Sequence, residues 1–352
     1  MLSVSVPHGA TLERINFDAD GKVPDDAVWL DLHSPTPAEN KLVERTLGIA
    51  LPTREEMQEI EVTSRLYVEN GARYMTATLM CHSDTDIPRT TPVTFILSGH
   101  RLVTVRYDEP KPFALVGTKL ARLCPANATG ETVLMDLLDA VIDRAADILE
   151  RIGSDVDAIS HEILESEGGM SRAHSFKDIL KSIGRRGDHT SKVRESLVSI
   201  GRLLLYLAAE ADTMKWAKDQ RAAIKGMQRD VQSLSDHATY LSQKISFLLD
   251  AMLGVVSLEQ NNIIKIFSVA AVVFMPPTLI ASIYGMNFKN IPELEFEFGY
   301  PFALALMLLA AVLPYFFFRW MKWLQGSGRS GDPPERAYGG SRQFGLRRLG
   351  SP

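Results

Sequence analysis

Residues 266–288 read IFSVAAVVFMPPTLIASIYGMNF and residues 298–318 read FGYPFALALMLLAAVLPYFFF, and neither stretch contains a charged residue. Each is as long as the roughly 20 residues that an α-helix needs to cross a hydrocarbon core. Two membrane spans are therefore predicted, both in the last quarter of the chain. The N-terminus has no basic start followed by an apolar core, so no signal peptide is expected. Outward from the spans, the connection 289–297 holds Lys289 against Glu293, Glu295 and Glu297, whereas the tail 319–352 holds seven Arg and Lys residues against Asp332 and Glu335. Cationic flanks stay inside, which puts both termini in the cytoplasm and the acidic connection outside.

The remainder is acidic. Of a formal net charge of −5, with 38 Lys and Arg against 43 Asp and Glu over 352 residues, about −9 falls before the first span. Nucleic acid rewards basic stripes, so this body does not suit it as a partner, whereas it suits cations. Cys81 and Cys124 lie in no CxxC pair, and no thiolate zinc site or disulfide framework is expected. No GxxxxGK[ST] loop is present, so no ATP site is expected, and His161-Glu162-Ile163-Leu164-Glu165 is a charged helix face and not an HExxH zinc motif. No nucleophile or organic-cofactor motif supports an enzyme.

Up to about residue 125, β-rich runs (27–32, 73–80, 93–97, 101–107) alternate with helix starts. Thr36-Pro37-Ala38-Glu39 and Thr53-Arg54-Glu55-Glu56 have the pattern of a capping box, and Gly48 is placed to close the first helix. The expected class is an α+β cytoplasmic domain followed by long helices and two C-terminal transmembrane helices. No proline occurs between Pro125 and Pro276, and apolar residues recur at helical spacing through Leu134, Leu137, Leu138, Val141 and through Val193, Leu197, Ile200, Leu204. Breaks are expected at Gly168-Gly169 and at Gly184–Gly187. The predicted organisation is an N-terminal domain over 1–125, a helical region over 126–228 and a stalk helix over 229–288 that continues as span 1. An outer loop over 289–297, span 2 over 298–318 and a basic tail over 319–352, largely disordered after 325, complete it.

In the first span, Asn261, Ile264, Ser268, Ala271, Met275, Thr278 and Ser282 fall within an arc of roughly 100°. This small or weakly polar stripe fits close helix packing, which favours small residues in membranes, and it also fits a pore wall. The span ends in Tyr284-Gly285-Met286-Asn287-Phe288, followed by Ile291-Pro292-Glu293-Leu294. Met275-Pro276-Pro277-Thr278-Leu279 lies within it, and Trp29-Leu30-Asp31-Leu32, Leu51-Pro52-Thr53-Arg54-Glu55-Glu56-Met57 and Ser64-Arg65-Leu66-Tyr67 stand earlier in the chain.

On these motifs the chain resembles the CorA family of divalent-cation channels over about residues 25–325, and the proline-containing features look most like its proteobacterial magnesium-transporting branch. The resemblance implies a funnel-shaped homopentamer of the inner membrane that passes Mg²⁺, with Co²⁺ and Ni²⁺ as further ions. It implies a selectivity filter of Gly285, Met286 and Asn287, with Asn287 facing hydrated Mg²⁺ and Gly285 freeing the backbone to turn out of the helix. Glu293 would draw cations to the outer mouth. Asn261, Met275 and Thr278 would line the pore, with Met275 as an apolar constriction and Asp250 near the cytoplasmic opening. Closure would come from cytoplasmic Mg²⁺ bridging carboxylates of neighbouring subunits, for which Asp84, Asp86, Asp230 and Asp236 are candidates. Two other readings stay open: a zinc transporter of the same superfamily, and a membrane-tethered coiled-coil sensor that does not conduct.

Overall fold

Alternating apolar residues in Leu2-Ser3-Val4-Ser5-Val6 start a sheet of seven strands. The computed structural model describes residues 1–9, 11–17, 21–85, 87–124, 128–164, 176–287 and 298–321. The strands are β1 (Leu2–His8), β2 (Thr11–Phe17), β3 (Trp29–His33), β4 (Leu66–Glu69), β5 (Ala72–Cys81), β6 (Arg89–Ser98) and β7 (Arg101–Arg106), in spatial order β2-β1-β3-β7-β6-β5-β4. Every neighbouring pair is antiparallel except β3 and β7, which run parallel with Leu30 opposite Val103. The helices are α1 (Pro37–Leu47), α2 (Arg54–Met57), α3 (Val62–Arg65), α4 (Lys111–Arg122), α5 (Gly130–Leu164), α6 (Phe176–Thr213), α7 (Lys218–Tyr284) and α8 (Gly299–Trp320).

Both faces of the sheet are covered, so its central strands are apolar almost throughout. Leu2, Leu30, Leu32, Ile96 and Val105 form one core with Val43 of α1 and Met57 of α2. On the other face Trp29 and Phe95 each place a ring centroid 6.2 Å from Phe113 of α4. Asp31 shares that face with Trp29 and is 2% exposed. It accepts hydrogen bonds from Arg106 Nε and Nη2 (both 3.0 Å), Arg14 Nη2 (2.7 Å) and Thr104 Oγ1 (2.9 Å), while Trp29 Nε1 donates to Thr104 Oγ1 at 3.0 Å. A charge held this far from water persists because its acceptor sites are filled.

Thr36 caps α1 through Glu39 N–H, and Glu39 returns bonds to the backbone N–H of Thr36 and to that of Leu2 in β1, so one capping box ties helix to sheet. Gly48 closes α1 at φ 66°. The equivalent box at Thr53 starts only the single turn of α2. Where α5 begins, a Cβ on Gly130 would lie 2.4 Å from the Leu102 backbone nitrogen, so β7 and α5 approach more closely there than any side chain allows.

The described residues form two units, and α7 contributes its residues up to 255 to the first and those from 256 to the second. In the first unit α7 buries Val231, Ala238, Ile245 and Met252 together with Leu241 and Leu248, a seven-residue recurrence of the coiled-coil kind. Its knobs sit over glycines: a Cβ on Gly201 would lie 3.5 Å from Val231 Cγ1, one on Gly187 3.7 Å from Ile245 Cγ2, and one on Gly153 3.8 Å from Leu241 Cδ2. This corrects the expected break at Gly184–Gly187, through which α6 runs without interruption. An interior Gly costs only about 1 kcal/mol against Ala, and here Gly187 lies against Ile245 of α7. Gly168-Gly169 lies outside the described residues.

Replacing Asp31 with Ala leaves Arg106, 5% exposed, without its counter-charge. Loss of about 3 kcal/mol of stability is expected, as for other broken buried pairs. Denaturant unfolding of the detergent-solubilised chain measures it, and a loss under 1 kcal/mol contradicts the assigned role.

Candidate functional site

The helical ladder of α7 runs out where the Tyr-Gly-Met-Asn sequence stands. Gly285 N–H still donates to Ala281 O four residues back, at 2.9 Å, but Met286 N–H turns to Ile283 O three residues back, at 3.2 Å. The helix tightens and ends, and Asn287 follows with its side chain exposed. Gly285 does not take a positive φ. What its missing side chain permits is proximity, since a Cβ there would lie 3.1 Å from the Ala281 carbonyl oxygen.

Below this point the stripe residues are uncovered. Ile264 and Met275 are 59% and 68% exposed, Asn261, Ala271, Thr278 and Ser282 are exposed, and Ser268 is half-buried. Phe267 and Phe274, which border the stripe, are about 70% exposed, whereas the far side mixes exposed Ile266 with half-buried Val273, Pro277 and Ile280 and buried Val269. Apolar side chains left uncovered along a helix suit hydrocarbon or further copies of it and do not suit water. The structure therefore does not choose between packing and pore wall. Both α7 and α8 are long and apolar enough to cross a membrane.

Two hydroxyls of the span are satisfied from within. Ser268 Oγ donates to Ile264 O and Thr278 Oγ to Phe274 O, each at 2.7 Å, so neither hydroxyl demands another acceptor. Pro276 and Pro277 lie inside α7. They lack N–H groups, so the carbonyls of Val272 and Val273 have no donor from the next turn. These two carbonyls fall one turn before the proline pair in an otherwise apolar segment.

In the first unit the candidate acids differ in circumstance. Asp84 accepts from Lys111, Arg144 and Arg151 at once, so a divalent cation there would compete with three resident charges. Asp236 is exposed and accepts from Gln232 Nε2 at 3.0 Å. Asp230 and Asp250 are exposed on α7. Asp86, Glu293, Glu295 and Glu297 lie outside the described residues. Among the described residues no group of three or more His, Cys, Asp or Glu is arranged to hold a metal.

One feature was missed by the sequence reading. Asp136, Asp139 and Asp143 follow one another at three- and four-residue spacing on α5, where like charges repel. Burial first, then Asp143, pushes the Asp139 carboxyl up, Lys119 opposes this, and Asp136 and Asp230 of α7 add to the rise. The spacing of acids along α5 was visible in sequence; the approach of Asp230 was not.

Residues 24–320 match the family described as "CorA-like Mg2+ transporter protein". The chain is 36% identical over 326 residues to the magnesium transport protein CorA of Pasteurella multocida, covering 92% of this chain and 100% of the relative. It is 34% identical over 324 residues to that of Yersinia pseudotuberculosis, with the same 92% and 100% coverage. Among solved structures, the CorA magnesium transporter of Methanocaldococcus jannaschii has the same fold at a TM-score of 0.69 and 18% identity, over 92% of this chain and 98% of that one. The cytoplasmic domain of ZntB from Vibrio parahaemolyticus matches at a TM-score of 0.52 and 7% identity, over 72% and 97%.

Replacing Asp139 with Asn relieves the repulsion on α5 and is expected to stabilise the chain by about 0.3–0.5 kcal/mol at pH 7 and low salt, a gain that fades with added salt. The native carboxyl takes its proton at higher pH than the unfolded one, so the wild type gains stability as pH falls through the native value and the variant does not. Thermal unfolding of both chains across pH and ionic strength checks this; a salt-independent difference contradicts it.

Proposed function

The chain belongs to the CorA family, and from that premise we propose that it carries Mg²⁺ into the cell down the membrane potential, as an ion-conducting homopentamer and not as an enzyme. The observation that carries the proposal is the termination of one continuous helix, α7, in Gly285-Met286-Asn287, joined to relatives named magnesium transport proteins over their whole length. Both termini lie in the cytoplasm and the acidic connection faces the outside of the inner membrane, in keeping with the charges flanking the spans.

Mg²⁺ gives up its waters reluctantly and prefers six oxygens in octahedral array. A site that grips the hydrated ion through neutral oxygens avoids that dehydration cost. Five Asn287 amides with the Gly285 and Met286 carbonyls would supply such a ring at the outer mouth, and Glu293 would concentrate cations before it. Below, Asn261, Ile264, Ser268, Ala271, Met275, Thr278 and Ser282 line the path, with Asp250 at its inner end. Met275 narrows it as an apolar constriction that opens by wetting. Co²⁺ and Ni²⁺, octahedral hydrated ions of the same charge, pass by the same route. A doubly charged ion gains about 4.6 kcal/mol per 100 mV, twice the single-charge value, so no ATP is required.

Closure follows from cytoplasmic Mg²⁺ neutralising acids between adjacent subunits. Asp230 is the strongest of the candidates, because it already adds to the repulsion around Asp139, and a cation relieves that repulsion. Asp84 is the weakest, because Lys111, Arg144 and Arg151 already compensate it.

Uptake of Mg²⁺ into proteoliposomes at an imposed inside-negative potential tests the proposal. The intact chain is expected to transport, and Asn287→Ala to lose at least about tenfold of the rate, corresponding to some 1.4 kcal/mol. Zinc uptake that follows a proton gradient with Mg²⁺ excluded would replace the proposal with the zinc-transporting alternative. No flux of either ion from intact oligomers would replace it with the non-conducting sensor.

A further inference from the structure

In the first unit, His189 stands on α6 midway between two cations that fasten this helix to its neighbours. Arg186, three residues before it, pairs through Nη1 with Asp155 of α5 at 3.1 Å. Lys192, three residues after it, donates through Nζ to the Pro88 carbonyl in the turn between β5 and β6 at 2.9 Å, and to Asp188 at 2.7 Å. Three-residue spacing puts all three side chains on one face of α6. The same turn is held by α5, where Arg144 Nη2 donates to Ser83 Oγ at 2.7 Å and Arg151 donates to the Ser83 carbonyl and to Asp84. The turn is thus clamped by two helices, and His189 lines the cleft of about 270 Å³ where Thr85 of the turn, Arg151 of α5 and Arg186 of α6 come together.

The imidazole is badly placed to carry a charge. It is 5% exposed, and its Nε2 has no hydrogen-bond partner among the described residues. A neutral ring leaves one polar atom unmatched there, whereas an imidazolium carries N–H on both nitrogens and leaves a charged donor without an acceptor, which is the costlier state. The charged groups facing it are Asp84 from the turn, Arg151 and Asp155 from α5, and Arg185, Arg186, Asp188 and Lys192 on α6 itself. From α7 the group packed on this part of α6 is the apolar Ile245, and the adjacent Lys244 is engaged with Asp157 of α5. Asp84 and Asp155 are already committed to arginines. Burial first, then Arg186, with Arg151 and Lys192 in the same direction and Asp188 against, holds His189 below its ordinary value of 6.5.

We propose that His189 is an acid-released latch of the β5–β6 turn: neutral, it lets α6 hold the turn and α5 together, and protonated, it loosens both attachments. The added charge completes a row of three cations, Arg186, His189 and Lys192, at a spacing where like charges repel, and the two outer members are the ones that make the attachments. A water takes about 30 Å³ of liquid, so the cleft beside the ring admits the water that delivers the proton. The docked state takes that proton at lower pH than the released state. Docking is therefore complete above the ordinary histidine value and is lost as pH falls from about 6.5 towards the docked value. His82, at the start of the turn, acts the other way, because its Nε2 lies 3.1 Å from Asp108 Oδ1 and protonation there strengthens an ion pair.

Hydrogen exchange of the full-length chain in detergent, followed at the amides of residues 79–81 and 89–91 between about pH 8 and pH 5 and corrected for the pH dependence of the exchange chemistry itself, tests this. Protection there is expected to fall severalfold in the acid range while that of the core strands β1 and β3 holds. In His189→Gln, which keeps a neutral polar side chain in place, the acid loss is expected to disappear. Asp188→Asn removes the carboxylate that favours the proton and is expected to enlarge the acid loss, a change in pH response that misfolding does not imitate. Protection that holds down to about pH 5 in the intact chain, an acid loss that His189→Gln shares, or one that Asp188→Asn leaves unchanged overturns the proposal.

Discussion

A backbone that enters hydrocarbon leaves water behind, and every N–H and C=O it carries must find a partner in the protein or in a wet cavity. That constraint shapes α7. Its ladder is unbroken from Lys218 to Tyr284 except where Pro276 and Pro277 withhold their N–H groups, and its two mid-span hydroxyls bond back to their own helix. Only at Gly285-Met286-Asn287 does the helix end. The peptide oxygens and the Asn287 amide become available together there. In a segment without charged side chains, the end of the ladder is where neutral oxygens can be gathered without the cost of burying an ion.

The first unit holds the N-terminal part of the same helix by a different economy. Val231, Leu241 and Ile245 of α7 lie against Gly201, Gly153 and Gly187 of the neighbouring helices. The sheet below is organised around Asp31, whose carboxylate joins β3, β7 and β2 through Thr104, Arg106 and Arg14. Glu39 plays a smaller version of the same role, capping α1 while bonding the first strand.

Elements with a local physical signature were legible in the sequence. The capping box at Thr36, Gly48 as the end of α1, strands β3, β5, β6 and β7 and both apolar spans could be placed from residue pattern alone. Strands β1 and β2 were passed over because their alternation is short and the second, Thr11–Phe17, is largely polar. Helix α4 was missed since it starts at Pro110-Lys111-Pro112 without a side-chain cap. Gly184 and Gly187 were misread as a break because a lone sequence shows the cost of glycine in a helix but not the packing of the rest of α6, whose Ile183, Val193 and Leu197 are buried. The same limit applies to the site: the Tyr-Gly-Met-Asn motif is local and readable, whereas the three cations on Asp84 come from α4 and α5, 27 to 67 residues away.

The account rests on the claim that a divalent ion moves through the protein along its own electrochemical gradient. The reversal potential of the purified oligomer in a planar bilayer under a Mg²⁺ gradient reads this directly. For a doubly charged ion moving alone it shifts by about 30 mV per tenfold gradient, and that slope is the predicted result. A reversal potential that tracks the proton gradient and ignores Mg²⁺ would contradict it.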